Sequence, residues 1–117
     1  MAEIKLVAKT KVIKLEHLLD TTITFMFKAV CPIPDKPNTY QGQMSVHYVS
    51  SVCLDFNAVK ETADRICEEG MNSVEDVVEK VRDYVRSVIP TKELKFLEVI
   101  AHIPAQVGHL DVVVKIA

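Results

Sequence analysis

The stretch DFNAVKETADRICEEGMNSVEDVVEKVRDYVRSVIP, residues 55–90, decides the fold. Its second half is the clearer part. Val74, Val77, Val78, Val81, Val85 and Val88 recur at helical spacing and mark one apolar stripe. Ser73 stands as N-cap with Asp76 three residues on, a capping-box arrangement with Asp in place of Glu. Valine is a middling helix former, so this helix depends on burying its stripe. Pro90 ends it. The first half predicts a helix from Asp55 or Asn57 to Glu69, with Phe56, Val59, Ala63, Ile66 and Cys67 as its apolar positions. Gly70 suits its C-terminus.

Strands flank this pair of helices. Upstream, Thr21 to Val30 alternates, with Ile23, Phe25, Phe27 and Ala29 on one face. Thr22, Thr24 and Lys28 lie on the other, where Met26 and Val30 are apolar exceptions. Gln43 to Val49 places Met44, Val46 and Tyr48 on one face and Ser45 and His47 opposite. Between them, CPIPDKPNTY (31–40) reads as a loop, so the two strands form a long hairpin with the prolines near its tip. Downstream, Leu94 to Ile103 and His109 to Ile116 read as two more strands joined by a short loop, Pro104 to Gly108.

Two consecutive helices cannot each cross over a parallel sheet. The order ββααββ therefore predicts an α+β chain, a four-stranded antiparallel sheet with both helices on one face. Residues 1–20 read as an N-terminal arm or extra strand, and 21–117 as a single domain. Apolar side chains on both faces of several strands suggest that another subunit covers the open face, making a homo-oligomer.

Composition narrows the function classes. The chain has 117 residues, of which 49% are apolar and 26% charged, which fits one folded domain and argues against disorder. A formal charge of −2 speaks against a strongly basic nucleic-acid binder but leaves room for a local basic patch. No apolar run reaches the roughly 18–20 residues of a membrane helix. The start MAEIKLVAKTKVIK is charged every few residues, unlike a signal peptide. Three widely spaced cysteines make a poor disulfide or zinc framework, and a reducing cytoplasmic setting is expected.

Among candidates for chemistry, Cys31 has the best address, at a strand end before a proline-constrained loop. Its thiolate would be a soft nucleophile. From spacing alone it reads more readily as an ordinary buried cysteine, and Cys53 and Cys67 more readily still. Glu75 sits in the first turn of the second helix, where the macrodipole favours an anion. It could accept two hydrogen bonds from a guanine-like edge, or be only a generic first-turn acid. Asp55 is similar at the first helix. His47 and His102 lie on strands and could meet in space. Four lysines, Lys5, Lys9, Lys11 and Lys14, could touch a phosphate backbone or form a solvated face. Three glycines, Gly42, Gly70 and Gly108, give no phosphate-binding loop.

Taken together, these residues resemble the QueF family of the tunnelling fold over about residues 25–100. That family carries a catalytic Cys-Pro with an Asp seven positions on. An acidic motif and a Glu-Gly…His-Glu motif follow. Here Cys31-Pro32 is followed by Pro37-Asn38, Asp55-Phe56-Asn57-Ala58-Val59-Lys60 fills the acidic place, and Glu69-Gly70 then Glu75-Asp76-Val77-Val78 fills the last. The resemblance implies an oligomeric barrel with active sites between subunits. It implies that Cys31 attacks the nitrile of 7-cyano-7-deazaguanine to give a covalent thioimide. Long members reduce this with NADPH. Short archaeal members convert the nitrile on tRNA to the formamidine of archaeosine with ammonia, using no cofactor or metal.

This chain resembles the short type. Ala105-Gln106-Val107-Gly108 stands where an Arg-Gly-Gly segment would follow, and the acidic motif linked to NADPH has become Asp-Phe-Asn-Ala-Val-Lys. Under this reading Cys31 is the nucleophile, Glu75 the purine-edge anchor, Asn38 orients the thioimide and Asp55 lines the pocket. Asn38 replaces a proton-carrying Asp, and Asp35 on the same loop could stand in. Val74 replaces the family His. The rival readings are the NADPH-dependent nitrile reductase, a pterin enzyme on the same fold, and a non-catalytic purine- or pterin-binding module.

Overall fold

The computed structural model describes residues 3–7, 10–30, 39–70, 73–104 and 111–117. The chain is α+β. Strands β1 (Glu3–Val7), β2 (Thr10–Val30) and β3 (Thr39–Leu54) precede helices α1 (Phe56–Glu68) and α2 (Val74–Val88). A 3₁₀ turn (Thr91–Glu93) leads into β4 (Leu94–Ile103) and β5 (Val112–Ile116). All neighbours pair antiparallel in the order β1-β2-β3-β4-β5. The four expected strands are present, and β1 adds a fifth at the edge. Residues 10–20, within the stretch read as an N-terminal arm or extra strand, form the first half of β2 and pair back on β1 with Val7 opposite Thr10.

Alternation dictates which side of the sheet is dry. Phe25, Phe27 and Ala29 of β2, Met44, Val46 and Tyr48 of β3, and Leu97, Val99 and Ala101 of β4 are buried under the helices. Against them α2 lays Val77, Val78, Val81, Val85 and Val88, all buried. Each fully buried valine contributes about 1.5–3 kcal/mol, which outweighs its modest helix propensity. Helix α1 contributes Val59, Ala63 and Cys67. Phe56, expected in that stripe, is 48% exposed at the first residue of the helix. Helix α1 lies over β2, and α2 over β4 and β5.

The caps follow the residues. Asp55 Oδ1 accepts from the amides of Asn57 and Ala58, and Ser73 Oγ accepts from Asp76. Gly70, with φ +140°, closes α1 in a backbone conformation that side chains resist. Gly42 answers a different need. A Cβ there would come within 2.5 Å of the His102 carbonyl oxygen, so its absence lets β3 and β4 approach.

One irregularity shapes the lower half of the sheet. Lys14 pairs with Val52 and Leu19 with Ser50, so Leu15, Glu16, His17 and Leu18 stand against Ser51 alone. This wide bulge pushes Leu18 and Leu19 into solvent. On β3, Ser50 Oγ donates to the Glu93 carbonyl at 2.7 Å and accepts from the Val52 amide at 2.9 Å.

The uncovered side of the sheet is mixed, with apolar side chains from several strands, as the sequence suggested, set among polar ones. Thr22, Thr24, Lys28, Gln43, Ser45, His47, Glu98, His102 and Lys115 face it, with Met26, Val49, Phe96, Ile100 and Val113 among them. Met26, Phe96 and Val113 are well exposed.

Candidate functional site

Antiparallel pairing sends both ends of the chemistry-bearing elements to opposite poles. One pole holds the end of β2, the C-terminus of α1 and the N-terminus of α2. There a groove of about 600 Å³ lies between Lys28, Ala29 and Val30 on β2 and Asp64, Cys67, Glu68 and Gly70 at the end of α1. Val30 immediately precedes Cys31 in the chain, and Thr39 is its pairing partner across the hairpin. Cys31, Asp35 and Asn38 lie outside the described residues.

Glu75 belongs to the same pole. It is exposed in the first turn of α2, five residues after Gly70. Ser73 supplies the cap, so the Glu75 carboxylate is not needed for that purpose. Asp55 belongs to the other pole. It caps α1 at the end farthest from the groove, about 20 Å away by the 1.5 Å rise of a 13-residue helix. Within one chain, therefore, Glu75 and the groove come together and Asp55 does not join them.

Two other thiols can be placed. Cys67 is buried in the groove wall, where burial pushes its pKa up and the carboxylates of Asp64 and Glu68 push it further the same way. A thiol held protonated is a poor nucleophile. Cys53 is half-buried, with its Sγ 3.6 Å from the Leu54 carbonyl oxygen.

The histidines correct one expectation. His47 and His102 share the open face but do not meet: His47 is opposite Glu98, four residues before His102, about 13 Å along β4. Each has an aspartate instead. His47 Nε2 lies 2.6 Å from Asp20 Oδ1, and His102 Nε2 lies 2.9 Å from Asp111 Oδ1. The His47 ring also leans on Phe96, with centroids 5.0 Å apart. Asp20 escaped the sequence reading because residues 1–20, an arm or extra strand, carried no register against β3. Extending the Thr22–Thr24 alternation two residues back would have put it beside His47. Among the described residues no cluster of three or more His, Cys, Asp or Glu side chains could hold a metal ion.

At the opposite pole a second groove, of about 410 Å³, runs between the last turn of α2 and the start of β4. Arg86, Thr91, Lys95 and Phe96 are among its lining residues. Nothing in the spacing of these residues signalled it, because they come together only where the 3₁₀ turn brings β4 back under α2. No described helix is long and apolar enough to cross a membrane.

Set against protein-family models, curated proteins and solved structures, the chain matches none of them.

Proposed function

We infer that the chain is a thioimide-forming enzyme of the QueF-like kind on a tunnelling-fold oligomer. It acts on the nitrile of 7-cyano-7-deazaguanine carried in tRNA, and its product is the formamidine of archaeosine. The observation that carries this reading is the groove beside Val30. A strand end leads directly from its wall to the Cys-Pro dipeptide, and Glu75 stands at the same pole.

The chemistry is balanced without an oxidant or reductant. The Cys31 sulfur adds to the nitrile carbon, and the nitrogen takes up the thiol proton, giving a thioimide. Ammonia then adds to that carbon, the carbon–sulfur bond breaks, and the thiolate leaves and is reprotonated. The net change is addition of ammonia to the nitrile. Glu75 would accept the ring N–H and exocyclic amine of the purine edge. Asn38 can hydrogen-bond the thioimide nitrogen but cannot supply a proton, a task that falls to Asp35. Asp55, a helix length away in its own chain, would reach a groove only from a neighbouring subunit.

Cys67, also in the groove, does not compete for the role of nucleophile, since its surroundings keep it protonated. Intact-protein mass after incubation with 7-cyano-7-deazaguanine tests the reading. An adduct of the nitrile's mass in the wild type, absent from Cys31→Ala and kept in Cys67→Ala, is expected. No adduct in the wild type would overturn it. NADPH consumption during the same incubation would favour the nitrile reductase instead.

A further inference from the structure

Both rims of the sheet are stepped. On one rim the 5-residue β1 pairs with Thr10–Lys14 of β2, so among the described residues Leu19–Val30 has no strand on its outer side. On the other rim the 5-residue β5 pairs with Val99–Ile103. That leaves Leu94–Glu98, the first half of the 10-residue β4, bare in the same sense. The covered halves lie at opposite ends: β1 towards the pole of Asp55, β5 towards the pole of Val30. None of the four stretches contains proline or glycine, so every backbone amide along them can pair. The groove of about 410 Å³ is the space beside the bare half of β4, with Leu94–Leu97 on one side and the buried Ile89 on the other.

A bare strand edge is a template for another strand. We propose that this groove seats β1 of a second copy, and that copies join head to tail through this lap. Length, direction and offset commit the seat to that occupant. The bare half of β4 is as long as β1. Successive strands are antiparallel, so β1 runs opposite to β4, and β5 opposite to β2. In a ring of equivalent copies both new pairings are therefore antiparallel as well. Lys5 is level with Leu54 through Val12, whereas Phe96 is level with Val49. Seating β1 on β4 thus slides the partner about 17 Å along the strands while crossing about 19 Å of strand spacings. That combination is a strand tilt of about 40°, within the roughly 35–45° of closed barrels. The same slide brings β5 against the partner's β2 around Leu19–Thr22, beside the bulge that leaves Leu18 and Leu19 exposed. Lys28–Val30 stays beyond the end of β5, so the lap leaves the nitrile groove open. Strand β1 lies outside residues 25–100, and the lap stands with or without the nitrile chemistry.

Lys95 is the residue to change. The β3–β4 register skips it, between Leu94 opposite Ser50 and Phe96 opposite Val49. Leu94 before it is already extended, with φ −98° and ψ 105°. Lys95→Pro therefore removes an amide from the bare edge at little cost to the ladder. Wild type is expected to sediment as a multiple of the monomer mass, and Lys95→Pro to need at least about tenfold more protein to assemble. Co-expressed Lys5→Cys and Phe96→Cys copies should link on oxidation through a disulfide between positions 5 and 96, identified by peptide mass. Monomeric wild type would overturn the lap. So would unchanged assembly of Lys95→Pro without the 5–96 link. If Lys95→Pro fails to fold, the link alone decides: present, it supports the lap, and absent, it overturns it. Each protein is also incubated with 7-cyano-7-deazaguanine. An assembled, linked wild type that forms no adduct would sink the nitrile reading and keep the lap, and a monomer that forms the adduct would do the reverse.

Discussion

The phenol oxygen of Tyr48 accepts the main-chain amide proton of Leu54 at 3.1 Å, although both belong to β3 and lie six residues apart. A straight strand would separate them by about 20 Å. The contact exists because β3 turns sharply at Ser50 and Ser51, opposite the bulge in β2, and Ser50 ties that turn to the Glu93 carbonyl. Tyr48→Phe removes the acceptor and leaves a buried amide without its partner. A loss of about 1–3 kcal/mol in urea unfolding is expected, with Ser50→Ala in the same range. Unchanged midpoints for both would mean that the turn is held by pairing alone.

Stability should fall on the alkaline side. Burial raises Tyr48 above the ordinary phenol value of 10.0, only partly offset by the Leu54 amide, and burial raises Cys67 above the ordinary thiol value of 9.0. The native chain therefore holds two protons that the unfolded chain has begun to release. The stabilisation is complete below those ordinary values and drains away as pH climbs through the raised ones. Urea midpoints taken from about pH 8 to about pH 11 should decline, and Cys67→Ala should remove the part that begins first. A flat profile would contradict both assignments.

The two structured glycines should respond differently to alanine. At Gly70 a Cβ meets nothing within 4 Å, so Gly70→Ala pays only the backbone strain of φ +140°, about 1 kcal/mol or somewhat more. At Gly42 the new methyl would strike the His102 carbonyl, a rigid part of the β4 backbone. Gly42→Ala should cost more, about 1–3 kcal/mol, and should speed amide exchange along the β3–β4 ladder. Equal thermal midpoints for the two variants would rule out the close approach.

Glu75 and Ser73 separate binding from folding. Ser73→Ala loses the cap on Asp76 and should cost about 1 kcal/mol of stability. Glu75→Gln keeps an acceptor but loses the charge, and it sits in solvent. Its unfolding midpoint should stay within about 0.5 kcal/mol of wild type. Under the proposed function its adduct with 7-cyano-7-deazaguanine should form about tenfold more slowly or worse. An adduct rate equal to wild type would remove Glu75 from the site.

The elements were readable from residues 21 onward because each buries one face. The valine stripe of α2 and the alternation of Ile23 through Ala29 carry their period openly, and their apolar sides face the core as expected; the largely apolar Leu94–Ile103 run showed a strand but not its buried side. The lower half of β2 was not readable. Four bulged residues from Leu15 to Leu18 break the two-residue period, so nothing local joins 10–20 to the strand that the alternation starts at Thr21. Of the candidate residues, Glu75 was placed correctly at a helix start, yet its separation from Asp55 follows from the antiparallel course of the two helices. The aspartate partners of His47 and His102 depend on cross-strand register, which local patterns do not encode.

The uncovered side of the sheet carries hydroxyls, amides, imidazoles and opposite charges that already satisfy water. Drying such a surface against a flat neighbour would cover the exposed Met26, Phe96 and Val113 but would also strip water from the polar groups set between them. If copies of this chain join, extension from strand rim to strand rim costs no such dehydration. A ring closed that way would enclose a wet lumen lined by Thr24, Ser45, His47 and Glu98.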